Sequence, residues 1–185
     1  MREGALVEEM TVRMGESFDF DRLTEFYDEV VKANSGTPFD VHWNRKIHPS
    51  DSEIAEALRD GSMYMGLLDD EVVAASIVND VFATGYDTVL WVFGAEPGKI
   101  LCIHLFATKP ALQGQGLGRK FLQAIIDDTR KRGFQVLRLD AFQHNTPACA
   151  LYEKMGFQYR GVADLVYEDE DLPEDLPIVV YEMQL

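Results

Sequence analysis

The chain of 185 residues has only two cysteines, few basic residues and no long apolar run. Cys102 and Cys149 do not have the spacing of a metal site or a redox site. No apolar stretch approaches the roughly 20 residues that cross a bilayer, and the N-terminus lacks a signal-peptide core. The net charge of −15 argues against nucleic acid or an anionic membrane as a partner, because both attract basic patches. These absences predict a cytoplasmic protein that binds no metal, membrane or nucleic acid.

The length predicts a single domain over residues 1–185, with one sizeable hydrophobic core. Neither an internal repeat nor a low-complexity tract argues for a second domain. In the first half, periodicity and turn residues predict two helices and three strands. They are a strand over 10–14, a helix over 19–32, a helix capped by Ser50 or Asp51 with Glu53 in its first turn, and strands over 63–68 and 72–78 joined by a turn at 69–71.

Residues 100–141 predict a strand, a glycine-rich loop, a helix and a second strand. The first strand covers Ile100 to Thr108, and Lys109-Pro110 stops it because proline has no N–H for a strand ladder. The second strand covers Phe134 to Ala141. A strand–helix–strand run of this length predicts a parallel crossover within one sheet.

The loop Gln113-Gly-Gln-Gly-Leu-Gly118 precedes the predicted helix. Glycines at a helix start let a ligand approach backbone N–H groups that have no helical partner, which favours an anion site. The spacing of the glycines does not fit the dinucleotide fingerprint, and the Gly-Lys-Ser/Thr ending of a phosphate loop is missing. A glycine-rich turn without a ligand remains the alternative.

Two motifs resemble those of the GNAT superfamily, the acyl-CoA-dependent N-acetyltransferases. Gln113-x-x-Gly116-x-Gly118 is similar to that family's pyrophosphate motif, Arg/Gln-x-x-Gly-x-Gly/Ala. The segment from Leu137 to Phe157 is similar to a second family pattern, which it matches at Asn145, Ala148, Leu151, Tyr152, Gly156 and Phe157. Together the motifs cover roughly a third of the chain, in the family's order.

The resemblance implies the α/β (α+β) GNAT fold. This fold is a mixed, mostly antiparallel, seven-stranded sheet with a central parallel strand pair and helices on both faces. Residues 159–166 and 178–185 are then expected to form a final antiparallel pair, and the acidic run 168–175 a solvated loop. The aromatic-rich stretch from Val81 to Gly98 is either a cover for the core or a wall of the acceptor pocket.

The resemblance also implies acetyl-CoA as the acyl donor. The backbone of Phe106, Ala107 and Thr108 would pair with the pantetheine arm. Lys109, Arg119 and Lys120 are placed to screen phosphate charge, with solvated surface cations as the alternative. Asn145 is expected to cap a helix and to contact the CoA arm. The residues expected to hold the pyrophosphate are Gln113, Gly114, Gln115, Gly116, Leu117, Gly118 and Arg119.

For catalysis, the resemblance implies Tyr152 as the general acid that protonates the CoA sulfur. A tyrosine that only packs on the helix face is the alternative. His104 is the candidate base, against a buried core histidine, a water relay or an acid such as Glu53. Other family members have a glutamate where this chain has Cys102. The remaining histidines are expected in loops or on the surface: His42, His48 and His144.

The predicted function is transfer of an acetyl group to a primary amine of a small acceptor, by direct attack in a ternary complex. A catalytically silent acyl-CoA-binding sensor or scaffold is the alternative, and the glycine spacing argues against a dinucleotide-dependent oxidoreductase. The acidic composition slightly favours a cationic acceptor. Exposed strand edges near the C-terminus are compatible with a homodimer.

Overall fold

The computed structural model describes residues 9–166 and 176–185, so the predicted acidic loop lies outside the described residues. Its strands are β1 (Thr11–Met14), β2 (Met63–Leu68), β3 (Glu71–Asn79), β4 (Ile100–Thr108), β5 (Val136–Phe142), β6 (Gln158–Ala163) and β7 (Ile178–Gln184). Its α-helices are α1 (Phe20–Asn34), α2 (Asp51–Arg59), α3 (Leu117–Lys131) and α4 (Thr146–Lys154).

The strands form one sheet in the order β1-β2-β3-β4-β5-β7-β6. The β4–β5 pair is parallel and the other neighbouring pairs are antiparallel. This arrangement confirms the predicted mixed sheet with a central parallel pair. None of the helices in the two described ranges is long and apolar enough to cross a bilayer.

Local sequence signals explain where several elements begin and turn. Ser50 and Glu53 form a reciprocal capping box at the start of α2, as predicted. Asn145 accepts a hydrogen bond from the Ala148 N–H at the start of α4. Asp69 and Asp70 both have positive φ, which is the backbone of a tight hairpin turn between β2 and β3.

Two strand boundaries differ from the prediction by two residues or more. β5 begins at Val136 instead of Phe134, because Gly133 turns the chain out of α3 with a φ of +80° and the Phe134 N–H still bonds back to that helix. β6 ends at Ala163, and Val166 forms an isolated bridge with Thr84. The chain therefore leaves the sheet edge earlier than its alternating sequence predicts.

The sheet is covered on both faces. On one face, α3 and α4 pack with a core that includes Phe121, Ile125 and Tyr152. On the other face, α1 and α2 bury Leu23, Tyr27 and other residues against β2, β3 and β4. The irregular stretch between β3 and β4 supplies a third cluster, in which Tyr86 and Trp91 pack against the other end of the sheet.

A buried ion cluster holds that irregular stretch on the sheet. Glu182 of β7 is fully buried and accepts hydrogen bonds from the N–H groups of Val92 and Phe93. Its carboxylate also pairs with Arg160 at 2.5 Å and with Arg138 at 3.9 Å. The Arg138 guanidinium lies 4.1 Å from the centre of the Trp91 ring. Tyr86 and Trp91 are therefore part of a core cover, as one of the two interpretations predicted.

We expect Glu182→Gln to destabilise the protein by about 3 kcal/mol, because it leaves two partly buried arginines without their buried counter-charge. Urea denaturation measures this loss of unfolding free energy. Glu25→Gln, a matched change on the exposed face of α1, is expected to change stability by less than about 0.5 kcal/mol. Equal midpoints for the two variants would contradict the structural role of the cluster.

A bulge in β4 opens the sheet at its centre. Leu105 has a φ of +52°, which is rare for a branched residue, and the β3–β4 register shifts at this point. The carbonyl of Leu105 accepts a 2.9 Å hydrogen bond from the hydroxyl of Tyr27, which comes from α1. The ladder between β4 and β5 ends at Ile103 and Leu139. Beyond these residues the two parallel strands separate.

Candidate active site

A cavity of about 920 Å³ lies where β4 and β5 separate. At one end it is lined by the glycine loop, the start of α3 and the buried side of α4. At the other end it is lined by the loop between α1 and α2, the start of the irregular stretch and the end of β5. We call these ends the loop end and the acceptor end.

The loop end presents a cradle of backbone N–H groups. Gly114 and Gly116 have φ values of +80° and +81°, and a Cβ at either position would meet no atom within 4 Å. Within the described chain, the N–H groups of residues 114–119 have no hydrogen-bond acceptor. Several N–H groups in a loop with left-handed residues, at a helix N-terminus, form an anion site. The Arg119 side chain adds a cation at the same place.

Every residue predicted to act in catalysis or to hold the pyrophosphate or the pantetheine arm lines this cavity, except Gln115. Gln115 is exposed and is not part of the lining. The residues that the structure brings together are His104, Phe106, Ala107, Thr108, Gln113, Gly114, Gly116, Leu117, Gly118, Arg119, Asn145 and Tyr152.

Lys109 does not have the role expected of it. Its ammonium group is paired with Glu71 and lies 3.4 Å from Glu29, and the residue is absent from the cavity lining. Because Pro110 turns the chain at this point, Lys109 is directed towards α1 and β3. Of the three predicted cations, only Arg119 lines the cavity.

Tyr152 lies on α4 with its ring in the core and borders the cavity. The ring contacts Phe106, Phe157 and Tyr181 edge-on or tilted, each at a centroid distance of 6.1 Å. Burial raises the pKa of Tyr152, so its phenol remains protonated at neutral pH. No described residue forms a hydrogen bond with the hydroxyl group. Tyr152 therefore has the protonation state that a general acid requires.

His104 lies at the β4 bulge and lines the cavity. Its Nε2 is 2.9 Å from the carbonyl oxygen of Val81. A carbonyl can only accept, so Nε2 carries the proton and Nδ1 has the free lone pair. Burial lowers the pKa of His104, so the ring is neutral at physiological pH. A neutral imidazole with a free lone pair can act as a general base.

The loop between α1 and α2 contributes more to the cavity than its sequence indicated. Trp43, His42 and His48 line the acceptor end, although two of these residues were predicted only as loop or surface histidines. His48 Nδ1 lies 2.7 Å from Glu53 Oε1. One sequence signal for these binding residues was available. This segment lacks the periodicity of a helix or strand but contains aromatic residues and histidines, and binding residues often lie on such loops.

His144 lies beside the cavity, in the turn before α4. Its Nε2 is 2.6 Å from the Asp40 carbonyl oxygen, so it donates a hydrogen bond to the loop between α1 and α2. Its ring also packs on Phe142 at the end of β5. His144 therefore links the acceptor-end loop to the sheet.

The two cysteines lack the features of an acyl-carrying nucleophile. Cys102 is fully buried, lies 3.3 Å from the Tyr86 hydroxyl and does not line the cavity. Burial raises the pKa of Cys102, and it also raises the pKa of Cys149. Thiols with raised pKa values are poor nucleophiles at neutral pH.

The family model described as the acetyltransferase (GNAT) family matches residues 23–157, which is more than half of the chain. The chain belongs to the GNAT acetyltransferase family. The motif resemblance and the predicted fold are thereby confirmed. Acetyl-CoA is the acyl donor of this family, in agreement with the predicted co-substrate.

Curated relatives show how acceptors vary within the family. The chain is 40% identical over 73 residues to the [ribosomal protein bS18]-alanine N-acetyltransferase of Escherichia coli, a match that covers 40% of this chain and 49% of that protein. It therefore spans about half the length of this relative. It is 29% identical over 150 residues to an L-methionine sulfoximine/L-methionine sulfone acetyltransferase of Salmonella typhimurium, covering 80% of each chain.

A solved structure from Salmonella typhimurium, assigned as an acetyltransferase and determined with its cofactor acetyl-CoA, has a similar fold. Its TM-score is 0.68 at 19% identity, and the match covers 95% of this chain and 94% of that one. At this identity the likeness shows the fold alone.

Proposed function

We propose that this GNAT protein is an acetyl-CoA-dependent N-acetyltransferase that acts on a primary amine of a small acceptor. The observation that carries the proposal is the single cavity that joins the N–H cradle of residues 114–119 to His104 and Tyr152. The cradle suits a pyrophosphate, and the separated strands leave the β5-facing edge of residues 104–108 without a ladder partner. Residues that hold a donor and residues that move protons therefore line the same space.

Acetyl-CoA, when bound, supplies an acetyl thioester and a thiol leaving group. An alkylamine has a pKa near 10, so its ammonium form must lose a proton before it can attack. His104 Nδ1 takes that proton, since Nε2–H is committed to the Val81 carbonyl. The Tyr152 hydroxyl donates a proton to the leaving group. Attack is direct because neither cysteine is placed as a nucleophile.

The experiment that tests this proposal is calorimetric titration of the purified protein with acetyl-CoA, with free CoA and NAD as comparisons. We expect micromolar affinity for acetyl-CoA and no heat with NAD. A panel of primary amines with detection of the released thiol then measures turnover. Binding of acetyl-CoA without turnover of any amine would favour the sensor or scaffold, and no binding of CoA species would remove the donor assignment.

The pH dependence of the reaction distinguishes His104 from other bases. The neutral ring is the active form and the amine enters as its ammonium, so kcat/KM for the ammonium form falls as pH drops through the pKa of His104. Because burial lowers that pKa, the fall is expected below about pH 6.5, the ordinary value for histidine.

His104→Gln keeps an N–H donor for the Val81 carbonyl and removes the base. We expect about 100-fold lower kcat and loss of the acidic limb from the pH profile. His48→Gln is the matched comparison at the acceptor end. If that variant loses the acidic limb and His104→Gln keeps it, His48 is the base.

The cytoplasmic location, the single domain over residues 1–185 and the homodimer remain predictions. β6 is the outer strand at one end of the sheet, and its Tyr159 and Val162 are exposed. An exposed apolar outer strand supports the homodimer prediction. Sedimentation analysis over a range of protein concentrations would test it.

A further inference from the structure

The acceptor end of the cavity is mainly apolar. Aromatic rings enter it from three separate segments of the chain, and aliphatic side chains fill the spaces between them. These rings belong to Phe39 and Trp43 of the loop between α1 and α2, Phe82 of the irregular stretch and Phe142 at the end of β5. Such a surface suits an acceptor with an aryl or alkyl body.

Apart from its histidines, the described acceptor end has charged side chains of one sign only, and they are carboxylates. Glu53 of α2 and Asp140 of β5 line it, whereas Arg119, the cation among the described lining residues, belongs to the loop end. Nearby arginines are engaged elsewhere. Arg45 is paired with Asp28 and Asp51 and does not line the cavity.

Glu53 is held as an anion by its neighbours. Burial by itself raises the pKa of Glu53, but the hydrogen bond and the electrostatic attraction of the His48 ring, with the hydrogen bonds from Ser50, outweigh that effect and hold the pKa below its usual range. The contacts are 2.7 Å to His48 Nδ1 and 2.6 Å to the Ser50 N–H. The carboxylate therefore remains charged at neutral pH and contributes a negative potential to the cavity.

The mouth of the cavity is also apolar. Phe39, Ile47, Val81, Phe82 and Val166 line the cavity, and each is more than a third exposed. Exposed apolar side chains that are grouped around one cavity are typical of a ligand-binding groove. An apolar body attached to the reacting amine would cover these residues when the amine group lies near His104.

We infer that the acceptor is a primary amine with an apolar aryl or alkyl body and without a carboxylate beside the amine. The inference rests on the proposed function and specifies its substrate class. An ammonium group approaches with attraction from Glu53, Asp140 and the aromatic faces. An α-carboxylate would approach with repulsion from both carboxylates and would meet no lysine or arginine at the described acceptor end. This selectivity differs from that of the Salmonella relative named for methionine sulfoximine and methionine sulfone.

The test uses three acceptors that differ only at one carbon substituent: 2-phenylethylamine, L-phenylalaninamide and L-phenylalanine. With acetyl-CoA saturating and rates expressed per ammonium form of each amine, we expect the first two to exceed phenylalanine in kcat/KM by about tenfold or more. Titration of the same compounds into the CoA-saturated protein gives the same order of affinity. A short peptide with an N-terminal alanine is included as a fourth acceptor.

Glu53→Gln tests the origin of the selectivity. Glutamine also serves at the third position of a capping box, so α2 keeps its start. We expect this variant to reduce the preference over phenylalanine severalfold. Glu56→Gln, the same change at an exposed position of α2, is expected to leave the preference unchanged.

Equal or faster turnover of phenylalanine, or the same preference in Glu53→Gln, overturns the inference. Turnover of the peptide alone overturns it in favour of a protein acceptor. If acetyl-CoA binds but none of these acceptors binds or is turned over, the inferred acceptor class is wrong and the proposed donor site is unaffected. Failure to bind acetyl-CoA is a different result, because it removes the proposed function itself.

Discussion

Tyr152→Phe is expected to lower kcat by about 100-fold to 10,000-fold, the range typical for loss of a general acid. The change removes one oxygen atom and keeps the ring contacts with Phe106, Phe157 and Tyr181. The hydroxyl meets no partner among the described residues, so its removal costs the fold little. Affinity for acetyl-CoA is therefore expected to stay within about twofold, and steady-state kinetics beside calorimetry measures both quantities.

The control for this variant is Tyr159→Phe, at an exposed tyrosine of β6 outside the cavity. It is expected to keep wild-type kcat. If Tyr152→Phe also keeps wild-type turnover, the tyrosine only packs on its helix and the proton comes from another group. If neither the wild type nor the variant turns over any amine while both bind acetyl-CoA, the protein is a sensor or scaffold.

Gly116→Val is expected to weaken acetyl-CoA binding by at least about tenfold, equivalent to about 1.4 kcal/mol. Gly116 is the N-cap of α3 with a φ of +81°, and valine in the left-handed region costs about 1–2 kcal/mol. The added side chain also enters open space at the cavity wall, beside the N–H groups of residues 114–119. Both effects reduce the ability of this loop to hold an anion.

Gly133→Val separates the loss of binding from the loss of stability. Gly133 follows the other end of α3, has a φ of +80° and also has no atom within 4 Å of a built Cβ. Its substitution is expected to lower the free energy of unfolding as much as Gly116→Val does, with acetyl-CoA affinity unchanged. Equal affinity for acetyl-CoA in the two variants would place the pyrophosphate elsewhere.

The sequence by itself determined most of the helices and strands, the β2–β3 hairpin, the parallel crossover and the residues of the glycine loop. Hydrophobic periodicity located the helices, and turn residues such as Asp69 and Asp70 marked the hairpin between β2 and β3. The glycine loop could be predicted from the sequence because a backbone with positive φ strongly favours glycine. Its N–H groups act through the main chain, so local sequence is sufficient to predict them.

The residues of the acceptor end could not be predicted from the sequence in the same way. Trp43 and His48 reach the cavity from a segment without periodicity, and their side chains meet the sheet only because α1 and α2 pack on that face. Side-chain chemistry at such a place depends on contacts between distant segments. The motifs of the family leave these segments unconstrained.

Only the tertiary structure decided where the sheet opens. Leucine does not favour a φ of +52°, so nothing in the β4 sequence predicts the bulge at Leu105. The bulge is held by the Tyr27 hydroxyl, which is 78 residues away in sequence and donates to the Leu105 carbonyl. Ser76 fixes the preceding carbonyl, that of His104, at 2.8 Å. A strained backbone persists where its surroundings fix it, and here those surroundings exist only in the folded chain.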